Sequence, residues 1–170
     1  MGMQIDRINN CDEVRFVELL GDIFEHSPWV AQRSYLLQPF RSRSDLHQVM
    51  VKVMRQASEE QRLRLLRQHP ELAGKEAAAG TLTQASKKEQ SGAGLDQCSR
   101  EERKRIKHLN QVYYTRFSFP FIIAVTGLDK FQIIAEMERR LENTRAEEFE
   151  TAIGEVEKIA LIRLQKLIDE

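Results

Sequence analysis

"FSFPFIIAVTGLD", Phe117–Asp129, decides how the chain folds. Its centre, Phe121–Val125, is the one β-like run in 170 residues. A single short apolar run with no second run to pair with cannot build a sheet. Pro120 forbids continuation of a helix and biases Phe119 to an extended shape. The stretch therefore reads as an extended connection between helices. On its N-terminal side lies "REERKRIKHLNQVYYTRF", opened by Ser99 with Glu102 in the spacing of a capping box. On its C-terminal side, Asp129 starts "KFQIIAEMERRL".

The same start signals recur along the chain. Asn10 with Glu13, Ser27 before Pro28, Ser44, Ser58 with Gln61 and Thr144 with Glu147 each precede an amphipathic stretch. The expectation is an all-α protein, a single-domain bundle over residues 1–170 of about seven to nine helices. Ala73–Gln97 breaks the pattern. It carries four of the eight glycines among Ala, Ser and Lys, and its composition is that of a linker or mobile loop.

Composition narrows the function. Hydrophobic residues make up 41% and charged residues 31%, with 26 basic and 26 acidic side chains. Such a balance argues against a general nucleic-acid binder, which needs a positive excess. The basic run from Arg100 has acids at helical spacing and reads as a solvated helix face. No apolar run reaches the length of a membrane span, so no membrane partner is expected. Cys11 and Cys98 form no pair motif, which favours a reducing compartment. There is no metal-ligand cluster and no phosphate-binding loop, so neither metal nor cofactor is expected. The C-terminal "LIDE" is no peroxisomal address, and a cytoplasmic location is expected.

Three regions offer chemistry. His69 precedes Pro70, which takes it out of the helix and frees its imidazole for proton transfer or for a helix-dipole role. Ser86, Glu89 and Gln90 form a polar turn that either caps a helix or faces a ligand. In the last helix, Phe149, Ile153, Val156, Ala160, Arg163 and Leu167 share one face, which puts Arg163 on the buried stripe. A buried guanidinium must meet a carboxylate, escape to solvent or bind an anion. Phe121, Ile122, Ile123, Ala124 and Val125 can touch a ligand mainly through backbone groups.

"EHSPWVA", "HPELAGK", "SKKEQSGAGL", "NQVYYTRFSFPFIIAVTG" and "ALIRLQKL" occur in that order. Together they resemble the 2-oxo-4-hydroxy-4-carboxy-5-ureidoimidazoline (OHCU) decarboxylases of urate breakdown, from about Ile8 to the end. The resemblance implies an all-helical, cofactor-free homodimer that forms (S)-allantoin and CO2. It implies His69 and Glu89 as catalytic residues. Substrate would be bound by Pro70, Ser86, Glu89, Gln90, the Phe121–Val125 backbone and Arg163. His26, His47 and His108 keep structural roles. The imidazole, carboxylate and guanidinium are expected to meet around one small dry cleft. The competing expectations are a non-enzymatic helical interaction module and a relative that binds substrate but has lost activity.

Overall fold

The structure is a computed structural model that describes Gly2–Glu170. Ten α-helices make up the described chain: α1 (Ile5–Asn9), α2 (Glu13–Leu20), α3 (Trp29–Tyr35), α4 (Arg43–Gln56), α5 (Glu59–Arg67), α6 (Lys75–Ala79), α7 (Gln84–Gly92), α8 (Arg100–Phe117), α9 (Lys130–Arg140) and α10 (Arg145–Leu167). A 3-10 turn, Leu95–Gln97, joins α7 to α8. Eight of the ten have seven residues or more. The fold class is all-α, as the start signals imply. Among the described residues β pairing is limited to an isolated bridge between Met3 and Ile168. Among the described residues no helix is long and apolar enough to cross a membrane.

The chain forms two compact units. One comprises the residues up to Gln68 together with Glu157–Glu170, the other His69–Val156. In the first unit α2 packs on α3 and α3 on α4. Phe16, Leu20, Val30, Leu46, Met50, Met54, Leu66 and Leu164 are buried there. Phe16 meets the rings of Tyr35 and Phe40 at 5.4 and 5.9 Å between centroids. Asn9 locks Phe40 by accepting from its N–H and donating to its C=O, both at 2.8 Å.

The second unit is built on an aromatic cluster. Tyr113 lies 4.6 Å from Phe117, 5.9 Å from Phe119 and 5.3 Å from Phe121, mostly edge to face, the arrangement aromatic quadrupoles favour. α8 stops at Phe117 because Ser118 turns left-handed at φ 65°. The chain then runs through Pro120 without regular structure as far as Asp129, which caps α9. The expected break is present: α8 ends at Phe117, where the sequence reading ends it, and Ser118 makes the turn two residues ahead of the proline.

Ala73–Gln97 is no free linker. It holds α6, α7 and the 3-10 turn. Gly80 (φ 71°) ends α6, and Gly94 (φ 79°) leads into the turn. Its glycines are punctuation between short helices of Ala, Lys, Gln and Glu, all good helix formers.

Candidate functional site

α5 ends at Arg67, and His69 opens the loop that leads to α6. His69 is 7% exposed, and its Nε2 is shielded from solvent. Pro70 beside it is half-buried. The loop is held from two helices. Asn110 of α8 donates to Leu72 C=O at 3.1 Å. Gln90 of α7 accepts from Ala73 N–H at 2.9 Å and donates to Glu71 C=O at 3.4 Å. Gly74 sits so close to Glu71 that an added Cβ would lie 2.5 Å from the Glu71 Cβ. These contacts hold Ala73 at φ 46°, a conformation costly for any residue with a side chain.

The cap reading of Ser86 and Glu89 is corrected by the structure. Thr83 caps α7 by accepting from Ser86 N–H at 3.2 Å, so Ser86 lies inside the helix. Ser86, Glu89 and Gln90 then stand three and four residues apart on one face. Ser86 and Gln90 are buried and Glu89 is half-buried. The Gln90 amide is used to hold the His69 loop, which makes this face of α7 the floor on which that loop rests.

Phe121, Ile122, Ile123 and Val125 are buried and Ala124 is half-buried. Their backbone is held by side chains that sequence reasoning missed. Arg140 donates to Ile122 C=O at 2.7 Å, and its guanidinium lies over the Phe121 ring, 4.3 Å from the centroid. Glu148 binds Arg140 through Oε1, which also accepts from Tyr113 Oη at 2.9 Å. Asn143 donates to the other Glu148 oxygen at 2.9 Å. Burial, with the Glu148 charge adding to it, pushes the Tyr113 hydroxyl far above its ordinary range, so it stays a neutral donor. Glu155 accepts from Ala124 N–H at 3.0 Å. One signal for Arg140 was available: it follows Ile133 and Met137 at helical spacing, on the buried face of α9.

Arg163 belongs to the first unit and is buried there, as its place on the stripe requires. Its Nη1 donates to Asp22 C=O at 2.8 Å and to Glu25 at 3.2 Å. Of the three outcomes open to a buried arginine, the structure shows the protein carboxylate. Glu25 is fully buried and stands at the head of "EHSPWVA". Phe149 and Leu167, the ends of the expected stripe, are half-exposed; the buried face of α10 also takes in Glu148, Ala152, Glu155 and Ile159. His47 bonds Glu157 C=O at 2.9 Å, while His26 and His108 are exposed. Two open grooves, one around His47, Lys52 and Arg55, the other around His108, Val112 and Arg116, contain none of the candidate residues.

The second unit thus presents a shielded imidazole, an acid-bearing helix face and a clamped stretch of irregular backbone. The OHCU decarboxylase family model matches residues 9–165. A 2-oxo-4-hydroxy-4-carboxy-5-ureidoimidazoline decarboxylase from Haloferax volcanii is 40% identical over 162 residues, 95% of this chain and 94% of that protein. The uric acid degradation bifunctional protein PucL of Bacillus subtilis is 41% identical over 98% of this chain, which spans 33% of PucL. A crystal structure of (S)-allantoin synthase superposes with a TM-score of 0.78 at 27% identity, over 98% of this chain and 54% of that one. The chain belongs to the OHCU decarboxylase family.

Proposed function

We propose that this chain decarboxylates 2-oxo-4-hydroxy-4-carboxy-5-ureidoimidazoline to (S)-allantoin and CO2, in urate degradation. The observation that carries the reading is the near-full-length match to decarboxylases of that name, with the His-Pro and Ser-x-x-Glu-Gln motifs intact. The match favours an enzyme over an interaction module.

The carboxylate leaves a ring carbon that also bears a hydroxyl. The electron pair of the broken bond forms a double bond to the neighbouring ring carbon, and the pair of that carbon's C=N bond moves to nitrogen, which takes a proton. The substrate's imine is thus the electron sink, and the reading assigns no cofactor. The product is an enol. It loses its hydroxyl proton and gains one on the neighbouring carbon, and allantoin is optically pure only if that proton arrives on one face.

His69 is assigned to this proton transfer, with an imidazole suited to giving or taking a proton near neutrality. Its clamped loop supports the role, since a proton donor must be held in place. Glu89 accepts from ureido or ring N–H groups. Pro70, Ser86 and Gln90 line the substrate, Gln90 while also holding the loop. Arg163 orients an oxygen that stays, because a grip on the departing carboxylate would stabilise the ground state. The backbone of Phe121–Val125 holds the ring edge. A homodimer and a cytoplasmic location complete the reading.

Allantoin also forms without an enzyme, so the decisive measurement is optical activity. Circular dichroism of freshly made substrate should show the (S) enantiomer growing in with protein and a racemate without it. His69→Asn should lower the rate by about 10²–10⁴-fold, the usual worth of a positioned acid or base. A folded His69→Asn protein with wild-type rate would refute the histidine assignment.

A further inference from the structure

The two side-chain bonds to the Phe121–Val125 backbone fall on alternate residues, Ile122 and Ala124. In a trans peptide the C=O and the N–H point to opposite sides, so Ile123 N–H faces away from the Ile122 C=O and Ile123 C=O faces away from the Ala124 N–H. Arg140 takes the Ile122 C=O and Glu155 takes the Ala124 N–H, so in each peptide group flanking Ile123 the half that does not belong to Ile123 is occupied by protein. Val125 C=O is used by Leu128 N–H at 2.9 Å in the turn that follows. The structure gives Ile123 N–H and C=O no hydrogen-bond partner among the described residues. Ile123 is 8% exposed, and buried peptide groups seldom stay unbonded.

We infer that Glu155 and Arg140 are positioning residues, which pin Ala124 and Ile122 so that the N–H and C=O of Ile123 are the groups presented to substrate. The inference rests on the decarboxylase reading and narrows its five-residue backbone subsite to one residue. It also specifies the ligand chemistry there. A donor and an acceptor side by side on Ile123 match a cyclic amide edge, which offers a C=O and an N–H at the same spacing. The two pins act through the backbone and touch no reacting atom. Removing one should loosen binding more than chemistry.

The test uses the full chain with Glu155→Gln and Glu155→Leu. Gln keeps an acceptor oxygen for Ala124 N–H and drops the charge; Leu drops both. Glu155→Leu should raise KM about tenfold with kcat changed less than threefold, and Glu155→Gln should stay within about twofold of wild type on both. Amide exchange followed by NMR should show Ala124 protected in wild type and in Glu155→Gln, and at least tenfold faster in Glu155→Leu. A wild-type KM in folded Glu155→Leu overturns the inference, as does a Gln variant as impaired as Leu. If Leu does not fold, the exchange of Ala124 in wild type and Gln decides: protection in both supports the pin, and fast exchange in either overturns it. Wild-type protein that makes no optically active allantoin sinks the decarboxylase reading instead, whatever the exchange data show.

Discussion

Arg163 and Glu25 illustrate how much a single position on a helix stripe discloses. The spacing of α10 puts Arg163 among buried residues, and burial creates a demand for negative charge. Sequence states that demand without an address, because the carboxylate that meets it lies 138 positions away. Glu25 carries the complementary demand, as an acid between Phe24 and a buried Ser27, and pairing the two needs the fold. The consequence is measurable. Breaking a buried pair by removing one partner leaves the other charge uncompensated and costs about 3–5 kcal/mol. Glu25→Ala should therefore lower the unfolding free energy in urea by about that much, and Glu25→Gln, which keeps an acceptor, by clearly less. A Glu25→Ala protein as stable as wild type would mean that the pair does not form.

Helix starts were legible where the expected capping residue stood directly before the first helical turn. Ser58, Ser99, Asp129 and Thr144 all cap as their spacing says. Where several capping residues stand close together, the choice shifted: Asp12 caps α2 in place of Asn10, and Ser42 caps α4 in place of Ser44. The apolar residues decide between them, since the helix must start where Leu46, Met50 and Met54 come to one buried side. α7 was the hardest to read. It buries Ser86 and Gln90 and no large apolar side chain, so it shows no stripe, and its start at Thr83 was missed. The same feature makes the cap important, because a nine-residue helix with little apolar packing depends on its ends. Thr83→Ala should cost about 0.5–2 kcal/mol. It should also reduce decarboxylation beyond what that loss of stability explains, because Ser86, Glu89 and the loop-holding Gln90 ride on this helix. Thermal unfolding and initial rates on the same preparation separate the two effects.

Across the whole molecule, carboxyls held by hydrogen bonds shape the response to pH. Lys130, the first residue of α9, donates to Glu102 in the first turn of α8 at 2.8 Å and to Gln97 C=O at 3.2 Å. That bond, with the Ser99 N–H, holds the Glu102 carboxyl below its usual range and holds the Lys130 ammonium above its own. Hydrogen bonds from Arg139 and from the Thr144 N–H likewise lower Glu136 and Glu147. A carboxyl lowered in the folded state contributes stability that is complete above the ordinary value of 4.5 and lost as pH falls through the folded value. An amine raised in the folded state contributes stability below 10.5 that is lost as pH climbs through its folded value. One bond thus feeds both limbs of the stability profile. Glu71 has the opposite sign: burial, then the Glu76 charge, raise its carboxyl, so its ionisation above 4.5 works against the fold. Denaturant midpoints measured from pH 3 to 11 should form a plateau with an acid and an alkaline shoulder. Glu102→Gln should flatten both shoulders at once, whereas Glu71→Gln should raise the plateau near neutrality. A Glu102→Gln profile with its alkaline shoulder unchanged would show that Lys130 does not draw its stabilisation from this pair.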